Sequence, residues 1–306
     1  MVGDLCLSPT TGDCTYGSPV MVDGDASSLH SPANPERRCV DPVVGLQAML
    51  DVLAADGYRV VGPVVRDGVI TYDDLTSETE MPVGCSVEQS PGHWRLHQGT
   101  GASRFSWTPG AESWKRYVFP ARREVLRIRR TDGSWTTTGP ALPDRPLALI
   151  GARDCEVRAL RILDRVLLEP DHPDAHYADR RAGAFVVAVT CGEPSATCWC
   201  TSIGGGPDPI EGFDLKITEI PAEAGSGSAH RLLVEAGTTR GGELLRRVPS
   251  VAATDADSAA AGAVVTRSVA MMPARLPASD LPELLAGTAQ HPHWDAVAQR
   301  CLSCGN

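Results

Sequence analysis

The amino-acid sequence predicts a mixed α/β fold, in which helices flank a β-sheet. Residues 146–151 and 185–190 are short apolar runs typical of buried strands. Between them, residues 156–168 repeat apolar side chains at the spacing of one helical face. The chain has 306 residues, 42% of them hydrophobic, so it can form a sizeable core without disulfides. The strand–helix–strand order therefore predicts a sheet with helices packed on it.

The N-terminal part is predicted to contain a leader followed by a helix. Residues 1–38 are rich in turn-forming residues and show no apolar period, so we expect a mobile leader. The α/β domain is predicted to extend over residues 39–295. Residues 41–53 have helical spacing, and Gly57 closes this helix.

A β-hairpin is predicted next, because the β-prone runs 58–65 and 69–72 are joined by an Arg-Asp-Gly turn. Residues 81–120 are rich in Gly, Pro, Trp and Ser, which predicts irregular structure or short strands. A subdivision of the domain near residue 140 is possible. Two further strands, a helix and a segment that is either helix or linker are expected at residues 214–220, 230–237, 241–247 and 252–263.

Composition excludes several functions. The chain has 28 basic and 38 acidic residues and a net charge of -10, which disfavours nucleic acid as a partner. No apolar run is long enough to span a membrane. No export signal precedes residue 35, so we expect a cytoplasmic protein. Because a reducing cytosol disfavours disulfides, the ten cysteines point to metal or cluster binding. Some of them are alternatively buried small hydrophobes.

Four cysteines are expected to meet at one edge of the sheet. Cys155 and Cys191 follow the two buried strands, whose carboxyl ends converge where α/β sheets bind ligands. Cys198 and Cys200 form a C-x-C pair just beyond the second strand. Four such thiolates are the ligand set of a [4Fe–4S] cluster. A tetrahedral zinc site is the alternative, although zinc ligands are usually spaced as C-x2-4-C. A third possibility is that Cys155 and Cys191 are simply buried.

A glycine run follows these cysteines. Gly204, Gly205 and Gly206 allow the backbone to approach a bound group closely, so their N–H groups are expected to lie near the cluster and donate to its sulfurs. Arg153 and Asp154 precede the first cysteine and either tune the potential of a cluster or form a plain ion pair.

A second cysteine motif lies near residue 306. Cys301 and Cys304 form a C-x-x-C pair that matches the opening of a ferredoxin run, C-x2-C-x2-C-x3-C-P. We therefore expect residues 296–306 to begin a ferredoxin-type domain that is cut short. The pair is alternatively a redox dithiol or half of a zinc site.

No motif predicts catalysis within this chain. It lacks a G-x-S-x-G elbow, an H-E-x-x-H helix and a Walker loop. We expect a component of an oxidoreductase rather than an independent catalyst. Surface positions are expected for four histidines that lie near prolines, namely His172, His176, His291 and His293.

Several strings resemble one family. The β subunits of cytoplasmic sulfhydrogenases, which are nickel–iron hydrogenases, and the related A subunit of anaerobic sulfite reductase are similar to the chain from about residue 40 onward. The most specific string is C-x-C-x-S-x-G-x-G-P at residues 198–207. The other similar strings are at residues 57–63, 113–120, 149–164 and 301–306.

This resemblance implies an electron-transfer subunit. Such subunits pass electrons between a flavin subunit that uses NAD(P)H and a hydrogenase or reductase partner. By resemblance, Cys155, Cys191, Cys198 and Cys200 lie in the cysteine motifs of the first domain, and Cys301 and Cys304 open the ferredoxin domain. Family members continue through that domain. A zinc-stabilised interaction module or a non-functional remnant therefore stays an alternative. Cys6 and Cys14 are expected to be incidental, and Cys39 and Cys85, which match no cysteine motif of the family, are expected to be structural.

Overall fold

An eight-stranded mixed sheet forms the centre of the protein. The computed structural model describes residues 35–90, 92–108, 110, 112–139, 145–222, 229–272 and 281–301. Two separate hairpins and helices on both sheet faces complete the described structure. The predicted α/β class, a sheet with flanking helices, is confirmed.

The strands are β1 Arg37–Val40, β2 Arg59–Arg66, β3 Val69–Asp74, β4 Cys85–Ser90, β5 His93–Gln98, β6 Arg127–Thr131, β7 Ser134–Thr138, β8 Leu147–Ala152, β9 Phe185–Val189, β10 Leu215–Ile220, β11 Arg231–Ala236 and β12 Ser250–Ala252. The helices are α1 Val44–Ala55, α2 Lys115–Val118, α3 Asp154–Leu167, α4 Ala175–Ala182, α5 Thr239–Leu245, α6 Asp255–Met271, α7 Leu281–Gly287 and α8 His293–Ala298.

Strand order in the large sheet is β12-β1-β11-β10-β9-β8-β2-β3. Strands β2, β8, β9 and β10 run parallel to one another, and the outer strands pair antiparallel. The predicted pairing of the strands around α3 is therefore confirmed. Because these strands are parallel, their carboxyl ends meet at one edge of the sheet and their amino ends at the other.

Helices cover both faces of the sheet, as the side chains of β11 show. Leu232 and Val234 belong to the main core cluster, whereas Leu233 packs with Ala261 of α6 in a second cluster. Successive side chains of a strand point to opposite faces, so α6 covers the face opposite the main core. Helix α1 packs against β2 and against α5 in that main core.

The local predictions with strong periodicity are confirmed. Helix α1 ends before Gly57, which has a positive φ of 87°. Strands β2 and β3 form the predicted hairpin, and Asp67 and Gly68 at its turn both have positive φ. The segment 252–263, predicted as helix or linker, lies mostly in helix α6.

Order begins earlier than predicted. Residues 37 and 38, assigned to the leader, lie in β1, which pairs with β11 and β12. This strand has four residues, too few to show a period in sequence. Residues 1–34 lie outside the described residues. Residues 140–144, where the division near 140 was proposed, also lie outside them. Helix α8 crosses the predicted boundary at 295/296.

Short elements account for the other differences. Within the segment 81–120, the short strands β4 and β5 agree with the prediction, whereas the four-residue helix α2 was not predicted. His176, assigned to a loop, lies in α4, where it is half-buried. His172, His291 and His293 are exposed as predicted. Among the described helices, none has the length and apolar character that a membrane crossing requires.

Candidate metal centre

Four cysteine thiols line one cavity at the carboxyl edge of the parallel strands. The cavity has a volume of about 260 Å³. Its walls come from distant parts of the chain. They are formed by Thr108, Arg153, Asp154, Cys155, Cys191, Thr197, Cys198, Trp199, Cys200, Ile203, Gly206 and Met272. The structure thus brings together the four cysteines that sequence spacing assigned to one site.

The first two cysteines are held by the sheet. Cys155 lies in the first turn of α3, which begins two residues after β8 ends. Cys191 follows β9, and its N–H donates to the carbonyl of Pro207 at 2.8 Å. Because β8 and β9 are paired in parallel, the residues after them are neighbours at the same edge.

The other two cysteines lie in the loop after β9. The N–H of Ser195 donates to the Sγ of Cys198 at 3.3 Å. Cys200 begins a 3₁₀ turn over Cys200–Ile203, and its thiol lies 3.7 Å from the Sδ of Met272. Hydrogen bonds from backbone N–H groups to sulfur stabilise the thiolate form, so the contact at Cys198 favours a ligand role.

The three glycines shape this loop in a way that differs from the prediction. Gly204 adopts a positive φ of 71° and ends the 3₁₀ turn. A Cβ at Gly205 would lie 3.1 Å from the carbonyl oxygen of Cys200. The N–H groups of Gly204 and Gly205 donate to the carbonyl of Cys200, and that of Gly206 donates to Asp154. Only Gly206 lines the cavity. The expected donation from these N–H groups to a cluster therefore has no support in these contacts.

Asp154 connects α3 to the glycine loop. Its carboxylate is 4% exposed and accepts from the Nε of Arg158 at 3.0 Å and from the N–H of Gly206 at 3.1 Å. The carboxylate also lies in the first turn of α3, where the helix dipole favours a negative charge. Asp154 therefore joins the first turn of α3, which carries Cys155, to the glycine loop that follows Cys200.

Arg153 is a buried cation at the wall of the cavity. The side chain is 1% exposed and donates to the carbonyls of Thr190, Phe105 and Trp107 at 2.9, 2.7 and 3.0 Å. Its guanidinium carbon lies 4.8 Å from the centre of the Trp107 ring. Its Nε is buried with no partner among the described residues. The sequence-based alternative of an Arg153–Asp154 ion pair is wrong, because Asp154 pairs with Arg158.

Desolvation raises the pKa values of all four thiols. For Cys155, desolvation followed by the charges of Glu156, Cys191 and Cys200 raises the pKa to about 12, although the residue is exposed to solvent. Desolvation is also the main cause that raises the pKa values of Cys191, Cys198 and Cys200. A bound metal deprotonates coordinating thiols outright, so metal binding at this site would release protons.

Within the described ranges, no three His, Cys, Asp or Glu side chains are placed to share one ion. A tetrahedral zinc site with Zn–S bonds of about 2.3 Å needs sulfurs about 3.8 Å apart. In a [4Fe–4S] cluster each thiolate binds a different iron, so the sulfurs stand farther apart around a larger group.

The remaining cysteines lie elsewhere. Cys39 is buried near Asp257 and Arg231, and desolvation raises its pKa to about 11. Cys85 is buried on β4 and donates to the Oε1 of Gln98 at 3.2 Å. Cys301 is exposed after α8 and does not line the cavity. Cys6, Cys14 and Cys304 lie outside the described residues.

Sequence reasoning missed part of the wall. Thr108 belongs to the segment expected to be irregular, and Met272 follows α6. Nothing in their local pattern marks them, because they approach the cysteines only through long-range packing. The site is therefore defined by its cysteines in sequence and completed by distant apolar residues in the fold.

By fold and site, the protein is an α/β domain with a thiol-lined crevice at the carboxyl edge of its sheet. This is the usual place for ligands in such sheets, and thiols are ligands for soft metals. No known family profile matches the chain. The chain is 27% identical over 165 residues to sulfhydrogenase 2 subunit beta of Pyrococcus furiosus. The match covers 53% of this chain and 46% of that relative, and it supports a distant relationship to that subunit. The match thus spans about half the length of the curated relative.

Proposed function

We propose that this chain is an iron–sulfur electron-transfer subunit of a multi-subunit oxidoreductase of the sulfhydrogenase or sulfite reductase type. In this proposal Cys155, Cys191, Cys198 and Cys200 hold a [4Fe–4S] cluster. The observation that carries the proposal is the convergence of four thiols, from three separate segments, on a single cavity.

The chemistry of the cavity fits such a group. Trp199, Ile203 and Met272 give the cavity apolar walls beside the thiols. Arg153 supplies one positive charge and an N–H without a described partner, suited to an anionic group that carries sulfide. When bound, a [4Fe–4S] cluster accepts and releases one electron, and its potential depends on net charge and hydrogen bonding around it.

An electron-transfer role implies partner subunits. The relative is named as a subunit, and its name refers to a sulfhydrogenase. We propose that a flavin subunit that uses NAD(P)H and a hydrogenase or reductase subunit dock on either side of the electron path. Cys301 and Cys304 would then supply two of the four ligands of a second cluster site. Trp199 and Ile203 are both 46% exposed near the cavity and offer contact area to a partner.

The decisive experiment measures iron, zinc and acid-labile sulfide in protein purified without oxygen, with an EPR spectrum after dithionite reduction. The proposal expects about four irons and four sulfides per chain and a signal near g of about 2. About one zinc without sulfide would contradict electron transfer and support the interaction module instead. A matched sample of the Cys198→Ser variant tests whether the metal occupies this cavity rather than another part of the chain.

A further inference from the structure

A second cavity lies at the opposite edge of the same strands. It has a volume of about 790 Å³ and is lined by residues near the amino ends of β2 and β8. Five of its ten lining residues are arginines, and one is a carboxylate. The lining consists of Arg59, Asp73, Arg116, Tyr117, Pro120, Ala121, Arg122, Arg145, Leu147 and Arg180. This concentration of positive charge contrasts with the net charge of -10 for the whole chain.

Two of the five arginines have carboxylate partners. Arg59 pairs with Asp74 at 2.6 Å, and Arg116 pairs with Glu112 at 3.0 Å. The other three, Arg122, Arg145 and Arg180, form no ion pair with any carboxylate that the structure describes. No described carboxylate therefore neutralises their positive charges.

The cavity is built largely on regular elements. Arg59 is the first residue of β2, Leu147 the first residue of β8, and Arg180 lies in the last turn of α4. Helix α2 carries Arg116 and Tyr117, and the Tyr117 hydroxyl donates to the carbonyl of Tyr72 at 2.5 Å. A site on helices and strands holds its charged groups at defined positions, which applies to Arg59, Arg116 and Arg180, whereas Arg122 and Arg145 lie in the segments that precede β6 and β8.

Several like charges around one cavity repel each other, and an anion that binds among them removes this repulsion. Guanidinium groups bind phosphate through two parallel N–H donors, a geometry that lysine does not offer. Ligand cavities typically measure about 300–1,000 Å³, so this one can admit a small organic molecule as well as an inorganic anion. Three guanidinium groups without a described carboxylate partner suit a ligand with more than one phosphate better than they suit an anion with a single charge.

We propose that this cavity binds the diphosphate group of a small molecule such as a nucleoside diphosphate. Arg122, Arg145 and Arg180 are the proposed phosphate ligands, and Arg59 and Arg116 shape the wall beside them. The site lies across the sheet from the cysteines and does not rest on the electron-transfer proposal.

The test uses the full chain and titrates it with pyrophosphate, ADP and orthophosphate by isothermal calorimetry at low salt, with melting curves in parallel. We expect saturable binding of pyrophosphate at one site per chain and a higher melting temperature when it is bound. Arg145→Ala and Arg180→Ala should each weaken pyrophosphate binding about tenfold or more, as expected for the loss of a charge-assisted hydrogen bond. Arg180→Lys keeps the positive charge but loses the two parallel N–H donors of the guanidinium group. This variant should therefore also bind pyrophosphate more weakly.

The matched control is Arg267→Ala, on α6, which removes an exposed arginine from a different part of the surface. This variant should leave the affinity for pyrophosphate unchanged. If it weakened binding as much as Arg145→Ala and Arg180→Ala do, the loss of affinity would come from the overall charge and not from the cavity. ADP that binds as tightly as pyrophosphate, or more tightly, supports a nucleotide ligand. Failure of all three probes to saturate, or unchanged affinity in Arg145→Ala and Arg180→Ala, overturns the proposal. Binding of an acidic polypeptide in place of diphosphate would also overturn it and make the cavity a docking surface.

Discussion

The two cavities lie at opposite edges of the same parallel strands and differ in every chemical respect. At the carboxyl edge, four thiols meet one buried cation, Arg153, whose donors are mostly bonded to carbonyls. At the amino edge, five arginines surround a cavity about three times as large, and three of them have no carboxylate partner among the described residues. The first cavity suits a soft metal group and the second suits a hard anion.

One sheet separates two kinds of binding site, because each lies at a different edge of the same parallel strands. Residues that follow strands β8 and β9 can only reach the carboxyl edge, and residues that begin β2 and β8 can only reach the amino edge. A substitution in the lining of one cavity should therefore act at that edge of the sheet only. An effect of Cys191→Ser on pyrophosphate binding would contradict this separation.

The largest expected effect is that of Cys191→Ser. Serine is a poor ligand for iron, so we expect iron and acid-labile sulfide to fall from about four per chain to near zero. Pyrophosphate binding at the arginine cavity should not change. Cys85→Ser is the control, since Cys85 is also buried but lies on β4. Retention of full iron in Cys191→Ser would remove this residue from the ligand set.

Asp214→Ala should weaken the sheet that both cavities share. The Asp214 carboxylate is 2% exposed and accepts from Thr238 at 2.7 Å, from Arg240 at 2.6 Å and from the N–H of Val186 at 2.8 Å. Its removal leaves buried donors unpaired, which costs about 3 kcal/mol of unfolding free energy. Urea denaturation measures this loss.

The control for Asp214→Ala is Glu243→Ala, an exposed position on α5. It should change the unfolding free energy by less than about 0.5 kcal/mol. If the two variants were equally stable, the buried network around Asp214 would not contribute to holding β9 and β10 together.

Glu219→Gln should act on the cysteine side through pH. Burial raises the pKa of Glu219, but donors from His230, Ser103, Arg104 and Phe105 outweigh burial and hold the pKa below its ordinary value. These contacts fix the segment that carries Phe105 and Trp107, whose carbonyls accept from Arg153.

A lowered pKa means that the folded state favours the charged carboxylate. The stabilisation is therefore present above the unfolded pKa of about 4.3 and is lost as the pH falls through the folded value. We expect Glu219→Gln to be about 2 kcal/mol less stable at neutral pH, a difference that shrinks in acid. Urea unfolding of both proteins at neutral and acidic pH measures it, and a constant difference would contradict the assignment.

The smallest expected effect is that of Cys301→Ser. Cys301 is exposed, and helices α7 and α8 before it contribute no buried residue. The iron content of the cysteine cavity should equal that of the unsubstituted chain within error. The unfolding free energy should change by less than about 0.5 kcal/mol. A loss of iron in this variant would indicate that Cys301 is a ligand of the first cluster.

Much of the fold could be predicted locally. The strands around α3, the hairpin β2–β3 and helix α1 carry periods and turn residues that a short window reveals. Strands β1 and β12 have four and three residues, and their place in the sheet depends on pairing with each other and with β11. Such short strands depend on pairing with the rest of the sheet, so no local sequence pattern predicts them.

For this protein, the sequence by itself determined the α/β class, the parallel strands and the four cysteines that follow or lie near them. The packing of the fold is what places these thiols in one cavity, directs the N–H groups of Gly204 and Gly205 to Cys200 and that of Gly206 to Asp154, and bonds Arg153 to carbonyls instead of Asp154. The arginine cavity was invisible in sequence, because its members come from several separate segments. Periodicity and turn chemistry are properties of neighbouring residues, whereas cavities arise where distant segments pack, and packing is decided by the whole core.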